Sequence, residues 1–358
     1  MPHPAARLAS RYAARLASRA GLRAGLGLAL LWGGWLGGGL AQAIPPSPAV
    51  PPAQIALVQA APLAYITNQG SDDVSVVDLA RHAVIATIPV GRHPAGVAAA
   101  ADGRFVYVTN ADGKDVSVID ARARKVVARI PTGDGPVGIA VHPGGRELYV
   151  ADWYQHRISI IDTGSRRVVA QIPVGKSPAG LAVSPDGKTL YVANRDDDTL
   201  SFVDLATRKP RARVAVGRAP FGVATTRSGT WIFTANVQSG DVSIVDARSA
   251  REVARVRVGS FPYGVVTDGA DRRLFVTNQR DGTVSVVDLG TRKVIATLTV
   301  GEYPEGIALD AAGKAVLVAS WFDNNVTFID TLGLKVVATV DTGKGSRAFG
   351  QFIAPAPP

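Results

Sequence analysis

A 42-residue period runs through most of this chain and constrains its fold more than any other feature. Its marker is an aspartate closing a short apolar run: Asp78, Asp120, Asp162, Asp204, Asp246, Asp288 and Asp330, all 42 residues apart. The runs read VSVVD, VSVID, ISIID, LSFVD, VSIVD, VSVVD and VTFID. A glycine follows each aspartate thirteen residues later, from Gly91 to Gly343. Regular spacing of this size implies a repeat architecture, in which each unit buries its apolar faces against its neighbours.

One copy, residues 178–217, holds four apolar runs: GLAV, TLYVAN, LSFVD and RARVAVG. SPDGK, NRDDD and LATRK separate them. Runs rich in Val, Ile and Tyr and bounded by Gly, Pro, Asp and Asn read as strands, and none carries a sustained helical period. Several are apolar on both faces, which suits a sheet packed between two others. Seven four-stranded antiparallel sheets predict an all-β, seven-bladed β-propeller. The first copy begins at AYITN, on the second strand of the motif, and the last ends on GSRAFGQFI, with a strand to spare. Aligning Ser346 with Pro94 puts Arg347 in the place of Ala95 and Phe349 in that of Val97. Residues 346–353 are therefore expected to pair with 64–68 and close the ring, removing two open sheet edges.

The N-terminal flank is of another kind. The first 43 residues contain no acid, and Arg7, Arg11, Arg15, Arg19 and Arg23 precede the apolar stretch LGLALLWGGWLGGGL at 26–40. Ala41-Gln42-Ala43 then fits a small-residue cleavage site. The expected organisation is a signal peptide at 1–43, a Pro-rich linker at 44–63, the propeller at 64–353 and a tail at 354–358. This describes a periplasmic or secreted protein with no membrane insertion after cleavage. The four-residue spacing of the arginines also aligns them along one side of a helix, which leaves an uncleaved anchor or an organelle-type presequence open. Removing these five arginines lowers the net charge from +10 to +5, too small to demand a nucleic-acid partner.

The chain has no Cys, and its one Met is Met1. That excludes disulfides, thiolate catalysis, covalent c-type haem and iron–sulfur ligation. There is no phosphate loop, no G-x-S-x-G and no calcium loop. His93 and His156 lack a third ligand nearby in the sequence, so neither a metal nor a cofactor is expected.

The segments YITN, YVTN, YVAD, YVAN, FTAN, FVTN and LVAS occupy one position of the seven copies. With VSVVD and P-x-G-(I/V/L)-A-V-SPDGK they resemble the YVTN-repeat β-propeller family, which includes the YncE-like exported proteins. The resemblance spans about residues 64–353 and implies a seven-bladed, usually exported propeller. It implies no single reaction. The architecture is also similar to the heavy chain of amine dehydrogenases and to streptogramin-type lyases, so fold analogy does not choose a chemistry.

Candidate site residues come from the places where the repeat is not uniform. The middle residues of P-x-G, expected to ring the channel mouth, are Ala95, Val137, Ala179, Phe221, Tyr263, Glu305 and Arg347. Neighbouring loops add Phe261, Tyr303, Trp321 and Phe322, with Trp153 roughly across the channel. The ligand- or partner-binding set is therefore Phe221, Tyr263, Tyr303, Glu305, Trp321, Arg347 and Trp153, with no catalytic residue assigned. Phe221 and Tyr263 read either as a channel plug or as a ligand site. Glu305 and Arg347 read first as an ion pair pinning the closing strand. The repeated Asp and Asn residues read as turn formers.

The favoured function is a monomeric, non-catalytic binding or scaffold module for a small molecule or a protein on this loop face. An enzyme, either a lyase or a quinone-linked dehydrogenase subunit, is the first rival. It has only Glu305, His93 and His156 for acid–base work. A single-stranded nucleic-acid binder is the second, using Arg92, Lys176, Arg195, Arg218, Arg280, Lys344 and Arg347, whose charge is diluted by acids in the same loops.

Overall fold

The structure is a computed structural model that describes residues 61–356. The leader expected at 1–43, and all but the end of the linker, lie outside these residues. Seven four-stranded antiparallel sheets make up the described chain, as the repeat predicts. In blade two the strands run outward from the axis as Pro94–Ala99, Phe105–Asn110, Asp115–Asp120 and Lys125–Pro131. Innermost strands Pro136–Val141, Pro178–Val183, Pro220–Thr225, Pro262–Thr267 and Pro304–Leu309 open blades three to seven. Among the described residues the only helical element is a 3₁₀ turn at Arg195–Asp197.

Second and third strands are buried on both faces, because their side chains fill the spaces between blades. Tyr149, on blade three, shares one cluster with Leu190, Val192 and Val203 of blade four. Outermost strands alternate between exposed residues and half-buried or buried ones, as in Lys125–Pro131. Each aspartate of the period caps the turn that follows it. Asp120, Asp162, Asp204, Asp246 and Asp288 each accept a backbone N–H three residues ahead, at 2.7 Å. These bonds hold the carboxyls of Asp162, Asp204 and Asp288 below the usual carboxylate range, and the Ser249 hydroxyl and N–H do so for Asp246.

The YVTN signature stitches blade to blade. Thr109 Oγ1 accepts the Gly96 N–H at 2.7 Å and donates to the Val137 carbonyl of the next blade at 2.8 Å. Thr277 bridges Gly264 and Glu305 in the same way, at 2.8 and 3.1 Å. The following Asn accepts the repeat glycine's N–H from the preceding blade: Gly91 to Asn110 Oδ1 at 3.1 Å, Gly175 to Asn194 Oδ1 at 3.0 Å.

Innermost strands approach so closely that the P-x-G position admits only glycine. A Cβ on Gly96, Gly138, Gly180, Gly222 or Gly264 would stand 1.8–2.4 Å from a backbone oxygen of the next blade. This level is the waist of the channel.

Ring closure follows the expectation at its ends and departs from it in the middle. Ser346 bridges Asn68, and Ile353 and Ala354 pair with Ala64 and Leu63. The strand partner therefore starts at Leu63, one residue earlier than expected, and the closing strand extends one residue into the expected tail. Seven steps from Ser346 to Ile353 face four from Asn68 to Ala64. In blade four, three steps from Pro178 to Leu181 face two from Asn194 to Val192. The closing strand thus carries two residues more than its counterparts. They are absorbed at Ala348 (φ 46°) and Gly350 (φ 125°), where a Cβ on Gly350 would meet the Val97 oxygen at 2.5 Å. Phe349 consequently does not take the place of Val97. It turns into the channel instead.

Candidate functional site

The loops before P-x-G and after YVTN share one face, the upper face, as the Trp153 N–H to Gly135 carbonyl bond shows at 2.9 Å. A one-residue bulge in each innermost strand, between the P-x-G proline and the residue after its glycine, re-aims the middle residue. In blades five and six this carries Phe221 and Tyr263 to the axis, stacked at 4.1 Å between centroids. Phe349 closes the cluster edge-on, 4.9 Å from Phe221 and 5.8 Å from Tyr263. All three are buried, at 5–6% exposure. They pack as a plug above the channel waist, and sequence reasoning missed Phe349 as its third member. The signal was there: in SRAFG the glycine falls two places later than in P-x-G.

Beside the plug lies a polar knot. Arg347 Nε stands 2.9 Å from Glu305 Oε2. Gln279 Nε2 donates to Glu305 Oε1 at 2.7 Å, and Arg347 Nη2 donates to the Tyr263 hydroxyl. Glu305 is 5% exposed. Burial pushes its carboxyl above the usual range, while Arg347 and then Gln279 pull it back. Burial also works against the Arg347 charge, but Glu305 and Tyr263 more than offset it and raise the guanidinium's pKa. Burial raises the Tyr263 phenol strongly. The ion pair joins blade seven to the closing strand. Gln279 was not among the sequence candidates, although it follows the YVTN asparagine at the position Trp321 holds in blade seven.

Outward from the plug is a second aromatic group. Tyr303, Trp321 and Phe322 form a triad with centroid separations of 6.4, 5.0 and 4.6 Å. Phe322 is exposed, and Tyr303 and Trp321 are half-buried. Phe261, also exposed, has the Arg280 guanidinium 5.6 Å from its ring centre. Tyr303 and Phe261 hold left-handed backbone, φ 62° and 56°, at a position where Gly345 (φ 69°) sits in the closing segment. Trp153, on blade three across the ring from blades six and seven, reaches inward: its ring is 6.2 Å from Phe221 and 5.7 Å from the Arg195 guanidinium, so it links the plug to the loop at Arg195.

Among the described residues no group of three His, Asp or Glu side chains converges as a metal site would. His93 pairs with Asp112 at 2.5 Å, and the Ser177 N–H donates to His156 Nδ1 at 3.0 Å. Three turn acids of this face are engaged by backbone. Asp197, Asp281 and Asp323 accept the N–H groups of Lys176, Ser260 and Glu302 at 2.7–2.8 Å.

Below the plug the channel widens into a cavity of about 500 Å³ that ends at the turns of the opposite, lower face. No sequence feature pointed to it.

The chain belongs to the YNCE-like beta-propeller family, whose model matches residues 70–186 and 181–353. None of the curated proteins matches significantly. Among solved structures it is similar to the Kuenenia stuttgartiensis hydrazine synthase, with 22% identity, 74% of this chain and 90% of that one covered, and a TM-score of 0.67. It is also similar to a functionally unknown protein from Desulfotomaculum acetoxidans, with 15% identity, 80% and 99% covered, and a TM-score of 0.71. The dihydro-heme d1 dehydrogenase NirN in complex with DHE shares 16% identity over 82% of this chain and 78% of that one, with a TM-score of 0.61. At these identities the likeness is one of fold. Among the described residues no helix is long and apolar enough to cross a membrane.

Proposed function

We propose that this chain is an exported, non-catalytic binding module that holds a protein partner on its upper face. The observation carrying this reading is the rim formed by Tyr303, Trp321, Phe322 and Phe261. Its aromatic side chains reach solvent beside a filled channel. Phe261 and Tyr303 sit at φ values where a bulky side chain is disfavoured, so their presence is not explained by local backbone preference. Large rings with arginines beside them are the usual anchors of protein interfaces. Phe221, Tyr263 and Phe349 serve as the packed floor under this rim. The knot of Glu305, Arg347 and Gln279 ties that floor to the closing strand. Its only carboxylate is committed to Arg347 and Gln279, which speaks against acid–base catalysis at the mouth. Export is supported by the arginine-rich, acid-free start and the Ala41-Gln42-Ala43 site.

The test is affinity capture from native extract with the mature protein and with a Tyr303→Ala/Trp321→Ala variant of unchanged melting temperature. A partner held by the wild type and lost by the variant supports the reading, and equal capture by both overturns it. Retention that collapses steeply with added salt and returns with single-stranded oligonucleotide would favour the nucleic-acid alternative instead.

A further inference from the structure

We propose that the lower channel cavity is a second binding site, built for a small uncharged amphiphile with a ring-bearing apolar body and a hydroxyl or carbonyl head. The cavity measures about 500 Å³, within the range of small-molecule sites. Its upper end is blind, because Phe349 closes it beneath the stacked Phe221 and Tyr263. Apolar residues from blades two to seven and the closing strand line it, among them Ile139, Leu181, Val223, Val265, Ile307 and Phe349. Water beside these aliphatic side chains is displaced favourably by an apolar body, while the polar groups of the same cavity are left for a polar head.

The side chains at the lower end of the cavity differ from blade to blade. Where the innermost strands end, blades three, four and seven place Val141, Val183 and Leu309, while blades five and six place Thr225 and Thr267. Two adjacent hydroxyls, at the level where blades three, four and seven place aliphatic side chains, give a ligand head its place and its orientation. The charges at the mouth cancel. Asp268 is neutralised by Arg273 Nε at 3.0 Å and accepts the Arg272 N–H at 2.8 Å. Arg227 and Asp310, one of each sign, complete the set. With no net charge at the mouth to repay the hydration that a carboxylate or ammonium would lose, an uncharged head is favoured. This site is separate from the upper-face rim, and each can fail without the other.

The experiment titrates the folded mature protein with naphthol by fluorescence, using naphthoate and naphthylmethylammonium as charged counterparts. Saturable naphthol binding is expected, with both charged probes weaker by about tenfold or more. Val183→Trp should fill the cavity and abolish it. The near-isosteric Thr225→Val/Thr267→Val variant should weaken naphthol by several fold, the loss of one or two hydrogen bonds at roughly 1 kcal/mol each. Leu309→Trp blocks the opposite wall and serves if Val183→Trp alters the melting curve. No saturable binding by the folded wild type overturns the proposal. So does binding that survives both Trp variants, or that is lost in the Tyr303→Ala/Trp321→Ala protein instead.

Discussion

Replacing Arg347 by Ala tests whether the polar knot at the channel mouth holds the ring closed. The change leaves Glu305, 5% exposed, with Gln279 Nε2 at 2.7 Å as its remaining partner, and strips the Tyr263 hydroxyl of its donor. Removing one partner of a buried ion pair costs about 3–5 kcal/mol, because a buried charge is left uncompensated. The loss depends on pH with a definite sign. Burial already holds the native Glu305 carboxyl above its usual value of 4.5. As pH rises through that value the unfolded chain gives up its proton before the native state does, and stability falls until the native group ionises too. Without Arg347 the native value climbs further and the window widens. Denaturant titrations near pH 5 and near pH 8 should therefore show the variant losing about 3–5 kcal/mol at the higher pH and clearly less at the lower. Pairing Arg347→Met with Glu305→Leu should recover a substantial part of the loss, since no buried charge remains, although Gln279 and Tyr263 each lose a hydrogen-bond partner. A variant that loses under about 1 kcal/mol at both pH values, with no recovery in the double replacement, would refute this reasoning.

Other parts of the structure give sharper or smaller effects. Deleting the chain from Gly345 onward removes the Arg347–Thr67 and Tyr65–Phe352 backbone bonds and the ring of Phe349, and should replace the cooperative melting transition with a broad one. Gly222→Ala would set a Cβ 2.3 Å from the Tyr263 oxygen at the channel waist. The folded yield should fall sharply, whereas Gly145→Ala in an open turn (φ 73°) should produce folded protein with only a modest drop in melting temperature. Asp162, Asp204, Asp246 and Asp288 have carboxyls held below 3.8. Their contribution is present above that pH and fades as pH falls through the lowered native values, so a fourfold Asn variant should flatten the acid limb of the stability curve.

What could be read from the residues follows from what repeats. A 42-residue period carried by Asp78 to Asp330 determines blade number, strand order and turn chemistry, because every copy solves the same packing problem. The role of the period aspartates in their turns was legible for the same reason, as was the pairing of Glu305 with Arg347 at equivalent positions one blade apart. The closing strand was half legible. Its ends pair as aligned, but an ungapped alignment hides the two added residues, and with them the arrival of Phe349 on the axis. Gly350, two places late, was the available sign. The lower cavity was not legible at all. A void on the axis depends on ring radius and on which side chains fall short of it, and no local run of sequence records either. The inward reach of Trp153 to Phe221 was not legible, because loop position alone does not tell how far a side chain extends toward the axis.

Binding through the upper-face aromatic rim can be tested where it would occur, in the producing cells. The most direct measurement replaces Phe322, on the upper face, and His82, which packs 4.6 Å from the Phe328 ring at a turn of the lower face, one at a time with a photo-crosslinking residue in the producing cells. One discrete crosslinked partner is expected from position 322 and none from position 82. A partner captured from position 82 alone would contradict it.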